Sequence, residues 1–107
     1  MKFIQTIYKD PLGTQIRIAE TPHCRAEIAS NNKQKWATIY VIETEPKFHN
    51  QGFASAFLEE FKKEFQGFRI GCTVALNDKM RHLLEKHQIH EYRDPDFEEF
   101  IQELSHL

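Results

Sequence analysis

Ten residues, Pro46-Lys47-Phe48-His49-Asn50-Gln51-Gly52-Phe53-Ala54-Ser55, join a β-forming run at 36–44 to a helix-forming run at 52–65. A strand that feeds a helix through a glycine-bearing loop leaves backbone N–H groups free at the helix N-terminus. Such an end binds anions, phosphates above all. Groups able to move protons or attack carbonyls lie close in sequence. Glu43 and Glu45 share a face at the end of the strand, and Glu43 is the stronger candidate for a general base. Solvated strand-end carboxylates are the other reading of both. Cys72 lies on the next apolar run, where a stabilised thiolate would be a nucleophile and a plain thiol a small core residue. His82, His87 and His90 are spaced five and then three, and no Cys or carboxylate cluster completes a metal site around them. No metal is expected.

The elements that must position these groups follow from hydrophobic period. Residues 2–8 are rich in Ile, Phe, Thr and Tyr and read as a strand. Asp10-Pro11-Leu12-Gly13 is turn chemistry. Residues 14–19 and 24–29 alternate, as meander strands with one solvated face do. Residues 35–43 are apolar on both faces, which predicts a central strand, and Pro46 ends it. Ala54, Phe57, Leu58, Phe61 and Phe65 fall at helical spacing, with Glu59 and Lys63 paired on the outside. Gln66-Gly67 stops that helix, and residues 68–74 form another strand. The order strand, helix, strand implies a right-handed crossover and a parallel pair. Asn77 caps a helix from Asp78 to about His87, residues 89–92 form a short strand, and Asp94-Pro95 opens a last helix. The fold class is therefore α+β (mixed α/β), with an N-terminal antiparallel meander, a β-α-β crossover and C-terminal helices. One domain over residues 1–107 is expected.

Bulk properties narrow the function. Apolar residues make up 40% of the 107 and charged residues 28%, as in ordinary globular domains. The net charge of -2 gives no nucleic-acid signal. Two cysteines far apart are too few for a disulfide framework. The longest apolar run, about 37–42, is too short to span a membrane, and residues 1–6 lack a signal-peptide stretch. A cytoplasmic protein is expected, with no membrane partner.

The loop and its flanks resemble the acetyl-CoA-binding motif of the GCN5-related N-acetyltransferase (GNAT) family. That motif reads Arg/Gln-x-x-Gly-x-Gly/Ala after a strand. Gly52 and Ala54 match it, Pro46 and Ser55-Ala56-Phe57-Leu58 are similar to its flanks, and His49 stands where Arg or Gln is usual. A second segment, residues 74–86, resembles the family's strand-Asn-helix element. The resemblance covers about residues 35–92. It implies acetyl-CoA as cosubstrate and no metal. The diphosphate would be cradled by His49, Asn50, Gln51, Gly52, Phe53, Ala54 and Ser55. The pantetheine arm would lie along Ile42 and Thr44 in a gap between two strands, and Asn77 would lie near the cofactor. Glu43 and Cys72 remain the candidates for the chemistry of acetyl transfer to an amine of a protein or small molecule.

Three departures keep a second reading open. Leu84 stands where many members carry a Tyr, often proposed as the acid to the departing thiolate. A thiol of pKa about 8.5 can leave without one. His49 could add charge beside phosphate or be an exposed loop residue. Only Asp10-Pro11-Leu12-Gly13 separates the first two strands, where the family places two helices that shape the acceptor site. An open acceptor side suits a macromolecular acceptor, a homodimer paired through the meander edge, or a catalytically degenerate module that binds acyl-CoA or a protein partner.

Overall fold

The computed structural model describes residues 1–72 and 78–91. Four strands, β1 (Lys2–Lys9), β2 (Thr14–Thr21), β3 (Cys24–Asn31) and β4 (Trp36–Thr44), run as an antiparallel meander. A 3-10 turn at Pro46–Phe48 leads into helix α1 (Phe53–Glu64), which returns the chain to β5 (Arg69–Cys72) parallel to β4. Helix α2 (Asp78–Lys86) makes a second crossover to the short β6 (His90–Glu91), parallel to β5. The six strands form one mixed sheet in chain order. The expected α+β class, meander and crossover are all present. Asn77, the expected strand end at 73–74, Tyr92 and the last helix lie outside the described residues.

Register places the core. Arg17, Ile28, Ile39 and Cys72 are cross-strand neighbours, as are Ala19, Ala26 and Ile42. Both rows lie on one face of the sheet, because residues opposite one another share a side. The apolar members of these rows pack with Phe57, Leu58, Phe61 and Phe65 of α1, all buried. The helical stripe read from the sequence is thus the face that docks. Each Phe fully removed from water contributes about 1.5–3 kcal/mol. Gly67, at φ 86°, supplies the left-handed position beyond the helix end.

The expectation of one solvated face fails for β2 and β3. Ile16, Ile18 and Ala29 are buried on the face away from α1, while Ala19, Ala26 and Ile28 are buried on the other. Both strands are interior to the sheet. The edge strand β1 is mostly exposed and carries register shifts between Phe3 and Gln5 and between Thr6 and Tyr8. Such irregularities turn an edge away from further pairing, which weighs against β1 as a simple strand-pairing dimer surface. Among the described residues no helix is long and apolar enough to cross a membrane.

Candidate functional site

The loop between β4 and α1 is built from unusual backbone. Asn50 sits at φ 62° and Gly52 at φ 85°, ψ 3°. Gly52 is the N-cap of α1, and its carbonyl accepts the Ala56 N–H at 2.9 Å. The N–H groups of Phe53, Ala54 and Ser55 therefore open the helix with no intrahelical acceptor. A β-carbon added at Gly52 would meet nothing within 4 Å. Glycine is needed there for its positive φ, not for crowding.

An aromatic cluster holds the loop against the β2–β3 turn. The His23 ring stacks on Phe48 with centroids 3.6 Å apart, and Phe53 meets His23 edge-on at 4.7 Å. His23 Nδ1 lies 3.3 Å from Glu45 Oε2, and the Glu45 N–H donates to the His23 carbonyl at 3.0 Å. The Phe53 side chain belongs to this partly exposed cluster. Lys79 of α2 donates to Asn50 Oδ1 at 3.1 Å, which sets a cation beside the loop. The Gln51 side chain donates to the Lys47 carbonyl at 3.1 Å.

His49 is exposed, and its Nε2–H donates to the Thr44 carbonyl at 2.8 Å. It closes the strand end instead of reaching toward the helix N-terminus. Ile42 is buried on the α1 face, and Thr44 bonds through Oγ1 to Cys24 Sγ at 3.7 Å. Burial raises the Cys24 thiol pKa. Among the described residues β4 pairs with β5 from Trp36 to Ile39. β4 also carries an extra residue where it pairs with β3: Glu27 faces Val41 while Ile28 faces Ile39, which leaves Tyr40 on a bulge. Burial, followed by the neighbouring Glu27, pushes the Tyr40 hydroxyl pKa well above its ordinary value and keeps it protonated.

The two candidate catalytic residues are not brought together. Glu43 is exposed and lies across from Arg25, on the face away from α1. Cys72 is 1% exposed, in the core beneath α1. Cys24 and Cys72 are both unbridged thiols. Leu84, at the position of the family Tyr, is a buried core residue. Among the described residues no group of three or more His, Cys, Asp or Glu is placed to hold a metal.

One arrangement was not visible in the sequence. Ser55, in the first turn of α1, has its Oγ 2.6 Å from His87 Nε2. His87 Nδ1 lies 2.7 Å from Glu59 Oε1. Glu59, expected to pair with Lys63, bonds to Lys62 at 3.1 Å instead. That bond, the attraction of Lys62 and the His87 contact hold the Glu59 carboxyl below the usual carboxylate range, against a smaller opposing effect of desolvation. The available signal was Ser55 and Glu59 four residues apart on one helix face, with a His just past the next helix. Compared with family models, curated proteins and solved structures, the chain returns no match.

Proposed function

We propose that the protein is a minimal GCN5-related N-acetyltransferase that uses acetyl-CoA to acetylate an amine. The observation that carries this reading is the β4–α1 junction. A left-handed Gly52, with free space where a β-carbon would sit, opens a twelve-residue helix that has no side-chain cap, and Lys79 lies beside the loop. Free N–H groups, the positive helix end and a nearby cation together suit a diphosphate. By the resemblance, an extended arm would bond to the β4 backbone at Ile42 and Thr44. The Thr44 carbonyl keeps a second lone pair beyond the one His49 uses.

The chemistry is direct attack. The amine nitrogen adds to the thioester carbonyl carbon, and the oxygen takes the charge, stabilised by a backbone N–H near Ile42. The C–S bond then breaks and the thiolate leaves. The proton lost by the amine passes to Glu43, which is exposed and free to exchange it with water. Cys72 takes no part, because its thiol is sealed in the core.

A specific observation favours the second reading, a binding module without catalysis. Leu84 is 2% exposed in the core, so this helix offers no hydroxyl there to the leaving thiolate. Calorimetric titration with acetyl-CoA, beside a Gly52→Glu variant, tests what both readings share. Binding in wild type and its loss in the variant are expected. No binding at millimolar acetyl-CoA would overturn the acetyltransferase. Binding with no acetyl transfer to any amine in an acceptor screen would favour the module.

A further inference from the structure

Ser55, His87 and Glu59 stand in the order of a nucleophile, a base and the group that orients the base. The ring polarity is the productive one. A carboxylate only accepts hydrogen bonds, so Glu59 at 2.7 Å places the imidazole proton on Nδ1. Nε2 is then a lone pair aimed at the Ser55 hydroxyl, 2.6 Å away. The imidazole is fixed from several sides. It is 6% exposed, and its residue's N–H donates to the Leu83 carbonyl at 3.0 Å. Ser55 itself is only half-buried.

We propose that Ser55 is an acyl-accepting nucleophile, with His87 as its base and Glu59 as a positioning residue, acting on small activated esters or thioesters. Ser55 Oγ adds to the acyl carbon while its proton moves to His87 Nε2. The bond to the leaving alkoxide or thiolate breaks, and that group takes the proton from His87, leaving an acyl-serine ester. Water then adds to the ester carbon, passes a proton to Nε2, and Oγ leaves with that proton restored. The sum is ester or thioester plus water giving acid plus alcohol or thiol. The charge on the tetrahedral oxygen would be taken by the N–H groups of the first turn, which have no intrahelical acceptor. The relay is recognised by geometry and roles, which recur on unrelated folds.

This activity does not rest on the acetyltransferase reading, and the two are separable at the bench. Intact protein is treated with a fluorophosphonate probe and, separately, with p-nitrophenyl acetate. The expected results are a covalent adduct mapped to Ser55 and steady release of p-nitrophenol, both lost in Ser55→Ala. Glu59→Gln keeps the side chain's shape and removes the charge that fixes the tautomer. It should slow probe labelling by about 10²–10⁴-fold with unchanged circular dichroism, which a merely structural tie would not do. Folded wild type without an adduct at Ser55, or labelling equally fast in Glu59→Gln, would overturn the relay. Binding of acetyl-CoA without labelling would overturn the relay alone, and labelling without binding the acetyltransferase alone.

Discussion

The two ends of the sheet are made of similar turn residues and behave oppositely. At one end lie the β1–β2 and β3–β4 turns. There Asn31, 1% exposed, donates to the Leu12 carbonyl and Thr14 Oγ1, and accepts the N–H groups of Lys33 and Gln34 at 2.9 and 2.8 Å. Asp10 likewise takes the N–H groups of Leu12 and Thr14. Polar side chains there are spent on the backbone of two turns. At the other end lie the β2–β3 turn and the β4–α1 loop. Positive φ occurs at both ends, at Gly13 and Lys35 on the first and at His23, Asn50 and Gly52 on the second, but only on the second does a helix, α1, open with no side-chain cap. Positive φ in a non-glycine residue is a local cost that packing elsewhere must offset. At both ends side chains bond to loop backbone, but at the second His49 and Gln51 bond to carbonyls and leave the first-turn N–H groups of α1 without a side-chain cap.

Substitutions can break that contrast. The largest effect on stability is expected for Asn31→Ala. It strands two turn N–H groups and unties the two turns, and should lower unfolding free energy by about 2–3 kcal/mol. Urea denaturation would measure this, and acetyl-CoA affinity in the folded fraction should stay unchanged. Gly52→Ala should cost less, about 1–2 kcal/mol, from the left-handed backbone alone. Here the order reverses, because this smaller loss should come with clearly weaker acetyl-CoA binding by calorimetry. Equal effects of both variants on binding would dissolve the distinction.

The smallest effect concerns acid. The Glu59 carboxyl is held low in the folded state, first by Lys62. A depressed carboxylate stabilises the fold above its unfolded pKa, and that contribution is lost as pH falls through the folded value. Wild type and Glu59→Gln should therefore differ in urea midpoint at neutral pH and converge below the ordinary carboxylate range. A difference that persists at the acid end would contradict the shift.

Much of this was legible because hydrophobic period reports which face of an element is covered. The change from two-faced burial in β4 to the helical stripe of α1 marked the loop between them. Gly52 at the junction had a physical reason before its φ was known. What escaped depends on contacts far apart in sequence. Ser55 and His87 are 32 residues apart, and a lone His after an amphipathic helix carries no periodic signal. Asn31 carries no signal of its role, because its bonds to Leu12 and Thr14 come from a different hairpin. Phe53 looked like core because an apolar residue opening a helix usually packs inward. The His23 and Phe48 rings give it a partner nearer the surface.

The most direct test of the contrast is amide chemical-shift mapping of the isotope-labelled protein on addition of acetyl-CoA. The account predicts shifts at residues 49–55 and at Ile42 and Thr44, with Leu12, Thr14, Asn31, Lys33 and Gln34 unmoved. Shifts centred on the Asn31 end, or none at saturating ligand, would contradict it.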